Sequence, residues 1–299
     1  MKIAIIVNGI SRKKNFFYQS ILPGLAAFNT EVFETQHPQH AVILASGATE
    51  AQFDYVLAAG GDGTVNQVVN GILKGRDGTA RLPALGVIPL GTGNDFAKLC
   101  GTTRGTSIIT LLNKNAPVKT DVGKITCLDE RKGTVTRYFI NVCSLGMGPE
   151  VVKRLYSSKR ALGPSLTYFK SIVQTFFSHK PQHLFVKAED WEWNGRARVV
   201  AIANGKTFGH GLYVAPDAEA NDGIFNTFIA GSMPLVKFLI LLQTIKSGKK
   251  IADRYLTYNQ GTSFEITSPD AAPVEAEGEW VGWLPAKVEV LPGRLNVLR

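Results

Sequence analysis

Two short apolar runs of the chain each end in a turn that combines glycines with an aspartate. Residues 55–59 lead into Gly-Gly-Asp-Gly-Thr at 60–64, and residues 84–90 lead into Gly-Thr-Gly-Asn-Asp at 91–95. Glycine lets phosphate oxygens approach the bare backbone, and the amides at the start of a following helix can donate to them. A carboxylate there repels phosphate unless a metal ion or a hydroxyl group mediates. The two turns therefore predict cation-assisted phosphoryl transfer.

Ordinary turns that bind nothing have the same composition, so either turn alone is weak support. Two such turns at the ends of successive strands favour a ligand. The reason is that open parallel sheets bind ligands at the carboxyl edge of their strands.

The pattern along the chain predicts two domains. Short apolar strands alternate with amphipathic segments over residues 1–118, which predicts an α/β N-terminal domain with a mostly parallel sheet. Period-2 stretches over 119–290 predict a second domain that is a mainly antiparallel β-sandwich with helical inserts. The inserts are expected at 165–177 and 234–247, and the last strand, about 291–299, is free to return to the first domain.

The pattern also predicts one helix and one strand within these domains. A helix is expected over residues 16–28 of the first domain, and one strand is expected over residues 137–143 of the second.

Composition limits the class of protein. A chain of 299 residues with 44% hydrophobic and 19% charged residues is long for one core and has the composition of a folded protein. Three cysteines, Cys100, Cys127 and Cys143, are too few and too scattered for a disulfide scaffold or a zinc site, which indicates a reducing compartment. No apolar run reaches the ~20 residues that span a bilayer. We therefore expect a cytoplasmic protein.

A formal net charge of +9 favours an anionic partner such as a nucleotide, a nucleic acid or a membrane face, although it can also serve solubility alone. Neither zinc-finger spacing nor an aromatic RNA-binding signature is present, so no nucleic-acid partner is expected. The apolar helix at 235–242 is either buried core or a membrane-touching face.

The motifs together resemble the bacterial diacylglycerol kinase-like lipid kinases, relatives of sphingosine and ceramide kinases. The nucleotide-binding half of that family is similar to NAD kinases and phosphofructokinases. The most family-specific match is Pro-Leu-Gly-Thr-Gly-Asn-Asp-Phe-Ala at 89–97, whereas the wider superfamily shares the turn at 60–64. The other matching segments are Asp-Val-Gly at 121–123, Phe-Ile-Asn at 139–141 with glycines at 146 and 148, Ala-Pro-Asp-Ala at 215–218, Asn-Asp-Gly at 221–223 and Gly-Glu at 278–279.

The resemblance implies an ATP-dependent lipid kinase that uses Mg²⁺ and is peripherally associated with the inner face of the membrane. Asn8 stands where the family usually has an Asn-Pro turn, but a glycine follows it here. The residues that the resemblance places at the nucleotide are Asn8, Thr35, Gly60, Gly61, Asp62, Gly63, Thr64, Asn66, Gly91, Thr92, Asn94 and Asp95.

The resemblance also implies three catalytic acids. Glu279 matches the family's catalytic glutamate in an Asp-Gly-Glu turn, although Glu277 replaces the aspartate here. A carboxylate near a lipid hydroxyl can take its proton as the hydroxyl attacks the γ-phosphate. Asp62 competes for this role, and Asp121 is the third implied acid. The plainer alternatives are an exposed hairpin acid at 279 and a turn-capping aspartate at 121.

A structural Mg²⁺ site is implied in the loop at 216–224. Asp222 provides its carboxylate there, and Glu219 and Ile224 provide backbone carbonyls, which suits a hard cation. A hairpin without metal is the alternative.

Several functions stay open at this point. Diacylglycerol is the first acceptor to consider, but other lipids need the same catalytic groups. A soluble NAD kinase-like enzyme shares the first turn, and Glu277 leaves room for a non-catalytic nucleotide- or lipid-binding module. The sequence does not determine the oligomeric state, and a homodimer stays open.

Overall fold

The computed structural model describes most of the chain. The described residues are 1–76, 80–102, 107–157, 164–209 and 211–299. They form two compact units, which we call unit 1 (Met1–Val122 with Pro292–Arg299) and unit 2 (Gly123–Leu291). The predicted two-domain organisation with a β-rich second half is confirmed.

Unit 1 contains a sheet of four neighbouring parallel strands in the order β2-β1-β3-β4. The strands are β1 (Lys2–Val7), β2 (Asn29–Glu34), β3 (Tyr55–Gly60) and β4 (Ala84–Pro89). Every residue of β3 and β4 is buried, as expected for strands covered on both faces. Val297, near the end of the chain, pairs with Leu85 in parallel and extends this sheet.

Short helices connect the strands of unit 1. They are α1 (Lys14–Phe16), α2 (His40–Glu50), α3 (Asp62–Leu73), α4 (Asp95–Leu99) and α5 (Ser107–Lys114).

The single helix predicted over 16–28 is wrong. After α1 the chain forms a π-helical turn, Phe17–Ile21, and a 3-10 turn, Leu22–Leu25. Pro23 lacks the amide that a continuous helix requires, which explains the break. Phe17, Ile21 and Leu25 are nevertheless all buried, so residues four apart share the inward face of this segment.

Strands dominate unit 2, and two of them, β5 and β14, also contribute residues to unit 1. The strands are β5 (Val118–Leu128), β6 (Thr134–Phe139), β7 (Val142–Gly146), β8 (Gln182–Lys187), β9 (Glu192–Ala203), β10 (Phe225–Gly231), β11 (Leu256–Gly261), β12 (Ser263–Thr267), β13 (Pro273–Ala276) and β14 (Glu279–Val297). The helices are α6 (Met147–Ser157), α7 (Pro164–Ser178) and α8 (Leu235–Thr244).

Six strands of unit 2 form a closed antiparallel circuit, β7-β9-β8-β12-β14-β13 and back to β7. Two long strands make the closure possible, because β9 and β14 each pair with different neighbours along their length. β9 pairs with β8 over 192–197 and with β7 over 199–203. The strands predicted as a sandwich are thus hydrogen-bonded into one ring.

Side-chain alternation along β9 explains how unit 2 builds two apolar layers. Val200 and Ile202 face one core cluster with Phe225 and Phe264, whereas Ala201 and Ala203 face a second cluster formed with helices α6, α7 and α8. Successive residues of a strand point to opposite faces, so one strand serves both layers.

Two expectations about unit 2 need correction. The single strand predicted over 137–143 is interrupted at Ile140 and Asn141, because β6 pairs with β5 whereas β7 pairs with β9 and β13. The sequence analysis also missed α6. Gly148 and Pro149 resemble a turn, yet proline is tolerated in the first turn of a helix.

None of the helices in the described part of the chain is long and apolar enough to cross a membrane.

Candidate active site

The two glycine turns lie side by side at the carboxyl ends of β3 and β4. The amides of Leu90 and Gly91 both donate to the carbonyl of Gly60, at 2.9 and 3.2 Å. A Cβ atom added to Gly91 would lie 2.4 Å from the Cα of Gly61. Backbone packs directly on backbone here, so glycine is required for the turns to come this close.

The first turn leads directly into α3. Gly61 precedes the helix in an extended conformation, and Asp62 begins it. The amides in the first turn of a helix have no acceptor within the helix, so those of residues 62–64 are suited to an anion. The helix has twelve residues, which gives its dipole a useful length. A Cβ atom at Gly60 would lie 2.3 Å from Oγ1 of Thr64, which explains the glycine there as well.

Asp62 connects the two turns. Its Oδ1 accepts the amide of Phe96 in α4 at 3.1 Å. Burial is the largest influence and raises the pKa of Asp62, the Asp95 carboxylate raises it further, and the Phe96 amide opposes both. Asp95 is itself only 5% exposed and pairs with Lys98 at 2.8 Å. Two carboxylates thus lie near each other at the carboxyl edge of the sheet.

This pair of acids fits a magnesium ion bound together with a nucleotide. Mg²⁺ commonly takes one or two carboxylates from a protein and the remaining oxygens from phosphates and water. Within the described residues there is no group of three or more acidic, histidine or cysteine side chains that could hold a metal alone. Asp62 and Asp95 are therefore suited to a metal that arrives with phosphate.

Asn94 shapes the second turn. It has a left-handed backbone with φ of 51°, a conformation that asparagine tolerates better than most residues. Its Oδ1 accepts the amide of Gly91 at 3.1 Å, and its Nδ2 donates to the Gly91 carbonyl at 3.0 Å. Thr92, between them, is exposed. The Asn94 side chain thus closes the turn, and its predicted contact with a nucleotide stays a prediction.

Residues from the ends of β1 and β2 join the same edge. Nδ2 of Asn8 donates to Oγ1 of Thr64 at 3.3 Å, and the amide of Gly9 donates to Oγ1 of Thr35 at 3.0 Å. Ser11 Oγ donates to the carbonyl of Leu90 at 3.2 Å. The structure therefore brings Asn8, Thr35 and Thr64 to one edge, together with Ser11 from the loop after β1. The contact of Asn8, Thr35 and Thr64 with a nucleotide stays a prediction.

The remaining predicted nucleotide residues lie on the same turns. Gly63 is in the first turn of α3, and Asn66 is buried one turn further along that helix. The backbone carbonyl and the Oδ1 of Asn66 accept from Nδ2 of Asn70, at 2.9 and 3.2 Å.

Asp121 is buried in β5 with 1% of its surface exposed. Its Oδ1 accepts the amide of Gly293 at 2.6 Å, so the carboxylate holds the segment that returns to unit 1. Gly293 has a φ of 55°, which favours glycine at this contact. A catalytic role for Asp121 stays a prediction.

Glu279 begins β14, directly after a tight turn of unit 2. The turn residues Glu277 and Gly278 both have positive φ, 56° and 78°. The Glu277 carboxylate accepts the amides of Ile140 at 2.8 Å and Asn141 at 2.5 Å. Glu277, which replaces the family's aspartate, therefore fixes the turn that carries Glu279.

A second acid, which the sequence analysis missed, supports the same turn. Glu275 is buried, accepts the amide of Gly278 at 2.8 Å and accepts the hydroxyl of Ser144. Burial raises the pKa of Glu275 to about 7, against the opposing effect of these two hydrogen bonds. The spacing of acids at 275, 277 and 279 is the only signal in the sequence that could have indicated it.

The predicted metal loop is an exposed turn of unit 2. Oδ1 of Asp222 accepts the amide of Ile224 at 3.0 Å, which is the geometry of an Asx-turn. The side chains of Glu219 and Asp222 are both exposed. A metal held by Asp222 and the carbonyls of Glu219 and Ile224 stays a prediction.

Comparison with known proteins gives consistent matches over both units. The family model described as the diacylglycerol kinase catalytic domain matches residues 2–125, and the one described as the YegS C-terminal NAD kinase beta sandwich-like domain matches residues 141–299.

Individual relatives match over three quarters or more of their own length. A protein named diacylglycerol kinase from Bacillus subtilis is 27% identical over 100% of this chain and 96% of its own length. One of the same name from Staphylococcus carnosus is 30% identical over 98% of this chain and 93% of its own. A crystal structure of a diacylglycerol kinase from Bacillus anthracis has the same fold, with a TM-score of 0.71 and 20% identity over 99% of this chain and 96% of that one. Two relatives with the name 'Probable lipid kinase YegS-like', from Enterobacter and Serratia, are each 29% identical, over 83% and 81% of this chain and 79% and 75% of their own length.

Proposed function

Because the chain belongs to the family of bacterial lipid kinases that includes the diacylglycerol kinases, we propose that it transfers the γ-phosphoryl group of ATP to a lipid hydroxyl. The observation that carries this proposal is the pair of glycine turns packed backbone on backbone, with Asp62 and Asp95 beside them. Such an edge offers amides to phosphate and carboxylates to the cation that accompanies it.

The residues of unit 1 bind and align the nucleotide in this proposal. The amides of the first turn of α3 donate to phosphate oxygens, and the hydroxyls of Thr64 and Thr35 lie at the same edge for further hydrogen bonds. Asp62 and Asp95 hold Mg²⁺, which when bound neutralises charge on the phosphates. Phosphoryl transfer requires mainly this alignment and charge neutralisation.

The acceptor hydroxyl needs a base. Glu279 takes its proton in our proposal, because the turn that carries it is fixed by Glu277 and Glu275 and a fixed carboxylate loses little freedom on reaction. Asp62 is the competing base. The raised pKa of Asp62 makes it a better proton acceptor than an ordinary aspartate, although its contact with Phe96 favours a positioning role. Asp121 is the third acid proposed for this chemistry.

Diacylglycerol is the first acceptor we propose, since two relatives that match nearly the whole chain carry that name. A lipid acceptor resides in a membrane, so the enzyme acts peripherally at the inner face of the cytoplasmic membrane in this proposal. The net charge of +9 supports attraction to anionic lipids.

The test is a phosphorylation assay with Mg²⁺, labelled ATP, a panel of lipids in mixed micelles, and NAD, with the products identified by mass. We expect lipid phosphate and no NADP. We expect Asp62→Asn to lower turnover by at least about 100-fold, because it weakens both the metal site and the link between the turns. Asp270→Asn, an exposed aspartate of unit 2, is the matched control.

Two results would contradict the proposal. Phosphorylation of NAD alone would make the protein an NAD kinase-like enzyme. ATP or vesicle binding without turnover on any lipid would make it a binding module.

A further inference from the structure

Helix α8 of unit 2 exposes apolar residues to solvent over its first two turns, before the exposed polar residues Gln243 and Thr244, and it is also apolar on the side that faces the core. Seven of its ten residues are apolar. Phe238, Leu241 and Leu242 are buried against the second core cluster. On the opposite side, Val236 is 70% exposed and Ile240 is 56% exposed.

These two residues form one stripe. Positions 236 and 240 are four residues apart and therefore lie above one another on the helix surface. A soluble helix at a protein surface normally carries polar residues at such positions. The stripe is too small to drive tight protein association by itself, but it continues into a basic segment.

The segment after the stripe is strongly basic. Residues 234–252 contain four lysines and no acidic residue. Two of these lysines pair with acids elsewhere in unit 2, Lys237 with Asp253 and Lys250 with Asp217. Lys246 and Lys249 are exposed, and the part of the chain that the structure describes contains no ion pair for either.

Charge distinguishes between the surfaces that could cover α8. A second protein surface would have to supply acids for the two lysines and an apolar patch for the stripe. An anionic bilayer supplies both, because its headgroups attract lysines and its acyl boundary accepts apolar side chains. This combination of an apolar helix face with adjacent lysines fits an anionic lipid surface best.

We propose that the exposed stripe of α8, Val236 and Ile240, together with Lys246 and Lys249 in the segment after the helix, is the surface through which the protein lies on an anionic membrane. Val236 and Ile240 enter the headgroup boundary, and the two lysines bind the headgroups. The contact is weak and reversible, as expected for an enzyme that must reach lipid molecules in turn. It adds a contact surface to the membrane association proposed above and does not depend on catalysis.

The test measures co-sedimentation of the full chain with phosphatidylcholine vesicles, with and without phosphatidylglycerol, in the absence of ATP. The double variant Val236→Ser/Ile240→Ser should bind both kinds of vesicle about tenfold more weakly, because less apolar surface is buried. The double variant Lys246→Gln/Lys249→Gln should bind anionic vesicles more weakly by about fivefold per lysine, and its binding should depend much less on salt. Its binding to pure phosphatidylcholine vesicles should not change. Ile43→Ser is the matched control, because Ile43 on α2 of unit 1 is 57% exposed.

All substituted residues are exposed, and equal thermal midpoints should verify that the variants fold. Vesicle binding by the stripe variant equal to that of the wild type overturns the proposal. So does a wild-type dimer that the stripe substitutions dissociate, because α8 is then covered by a second copy of the chain.

Activity separates this proposal from the proposed function. The stripe variant should phosphorylate dispersed short-chain diacylglycerol at the wild-type rate and lose activity only on vesicle-borne lipid. If the wild type phosphorylates no lipid but binds vesicles through α8, the kinase proposal fails and the membrane surface is supported.

Discussion

The glycine turns of unit 1 and the hairpin turn of unit 2 use the same residue types in opposite ways. In unit 1 the glycines bring two backbones together, and the first-turn amides of α3 lack acceptors within the helix. In unit 2 the carboxylates of Glu275 and Glu277 bind nearby amides and hold the turn rigid. An acid beside a glycine therefore indicates a ligand site only where the backbone amides are left for the ligand.

Apart from the loss of the Asp62 carboxylate, the largest effect should come from adding a methyl group between the two glycine turns. In Gly91→Ala the new Cβ would lie 2.4 Å from the Cα of Gly61, and neither backbone can move aside without losing the hydrogen bonds to Gly60. We expect kcat/KM for ATP to fall by about 100-fold, the cost of displacing a binding group by about 1 Å. Steady-state kinetics with varied ATP measures this.

Gly47→Ala is the control for that substitution. Gly47 lies in α2 of the same unit, and an added Cβ there meets nothing within 4 Å. Its activity should be unchanged and its stability slightly raised, since alanine favours a helix. If Gly91→Ala keeps full activity, the close approach of the turns is not needed for function.

Unit 1 could be predicted well because its signals are local. Apolar runs of four to six residues that end in glycine turns specify both the strands and the residues at their carboxyl ends. The prediction of one helix over 16–28 is wrong at Pro23, where a local rule for proline already favours a break. The contacts of Asn8 with Thr64 and of Ser11 with Leu90 join segments far apart in sequence, so only the fold could reveal them.

Protonation of the buried acid in the hairpin should make stability depend on pH. Burial raises the pKa of Glu275 to about 7 in the folded state. Its stabilising contribution is therefore complete below the unfolded pKa of about 4.5 and is lost as the pH rises through 7. In the wild type, we expect the free energy of unfolding to decrease over this range by up to about 3 kcal/mol more than in Glu275→Gln.

Denaturant unfolding across that pH range measures the difference. Glutamine keeps an oxygen that can accept the Gly278 amide, and its amide group can donate to the Ser144 hydroxyl instead of accepting from it. Because glutamine does not titrate, the comparison isolates the charge. Glu265→Gln on β12, where the side chain is exposed, should keep the pH profile of the wild type. Parallel profiles for the wild type and Glu275→Gln would show that Glu275 does not titrate near neutral pH.

A smaller effect is expected from the second acid of the hairpin. Glu277→Ala leaves the amides of Ile140 and Asn141 without their carboxylate acceptor, so the turn that carries Glu279 shifts. We expect kcat to fall about tenfold with KM for ATP unchanged. Glu277→Gln should restore most of the rate, because its Oε1 can accept both amides. If Glu277→Ala keeps the full kcat, Glu277 does not position Glu279.

The hairpin could be predicted only in part. The motif predicts a role for Glu279, whereas Glu277 in place of the aspartate departs from the family pattern. The structure shows that the longer acid reaches two amides across a chain separation of 136 and 137 residues. The spacing of the acids does not indicate that Glu275 is buried, because its burial depends on the pairing of β13 with β7, which no local pattern specifies.

The smallest effect concerns the loop at Asp222, where an acid and a glycine meet again. If this loop holds Mg²⁺ as predicted, added Mg²⁺ without nucleotide should raise the thermal midpoint of the wild type by a few degrees. Asp222→Asn should remove that increase, because a neutral amide binds Mg²⁺ weakly. Asp217→Asn is the control, since Asp217 lies in the same loop but pairs with Lys250. If Mg²⁺ changes the thermal midpoint of neither the wild type nor the variants, the loop does not bind Mg²⁺. Asp222 then serves only to hold its turn, where its carboxylate accepts the amide of Ile224.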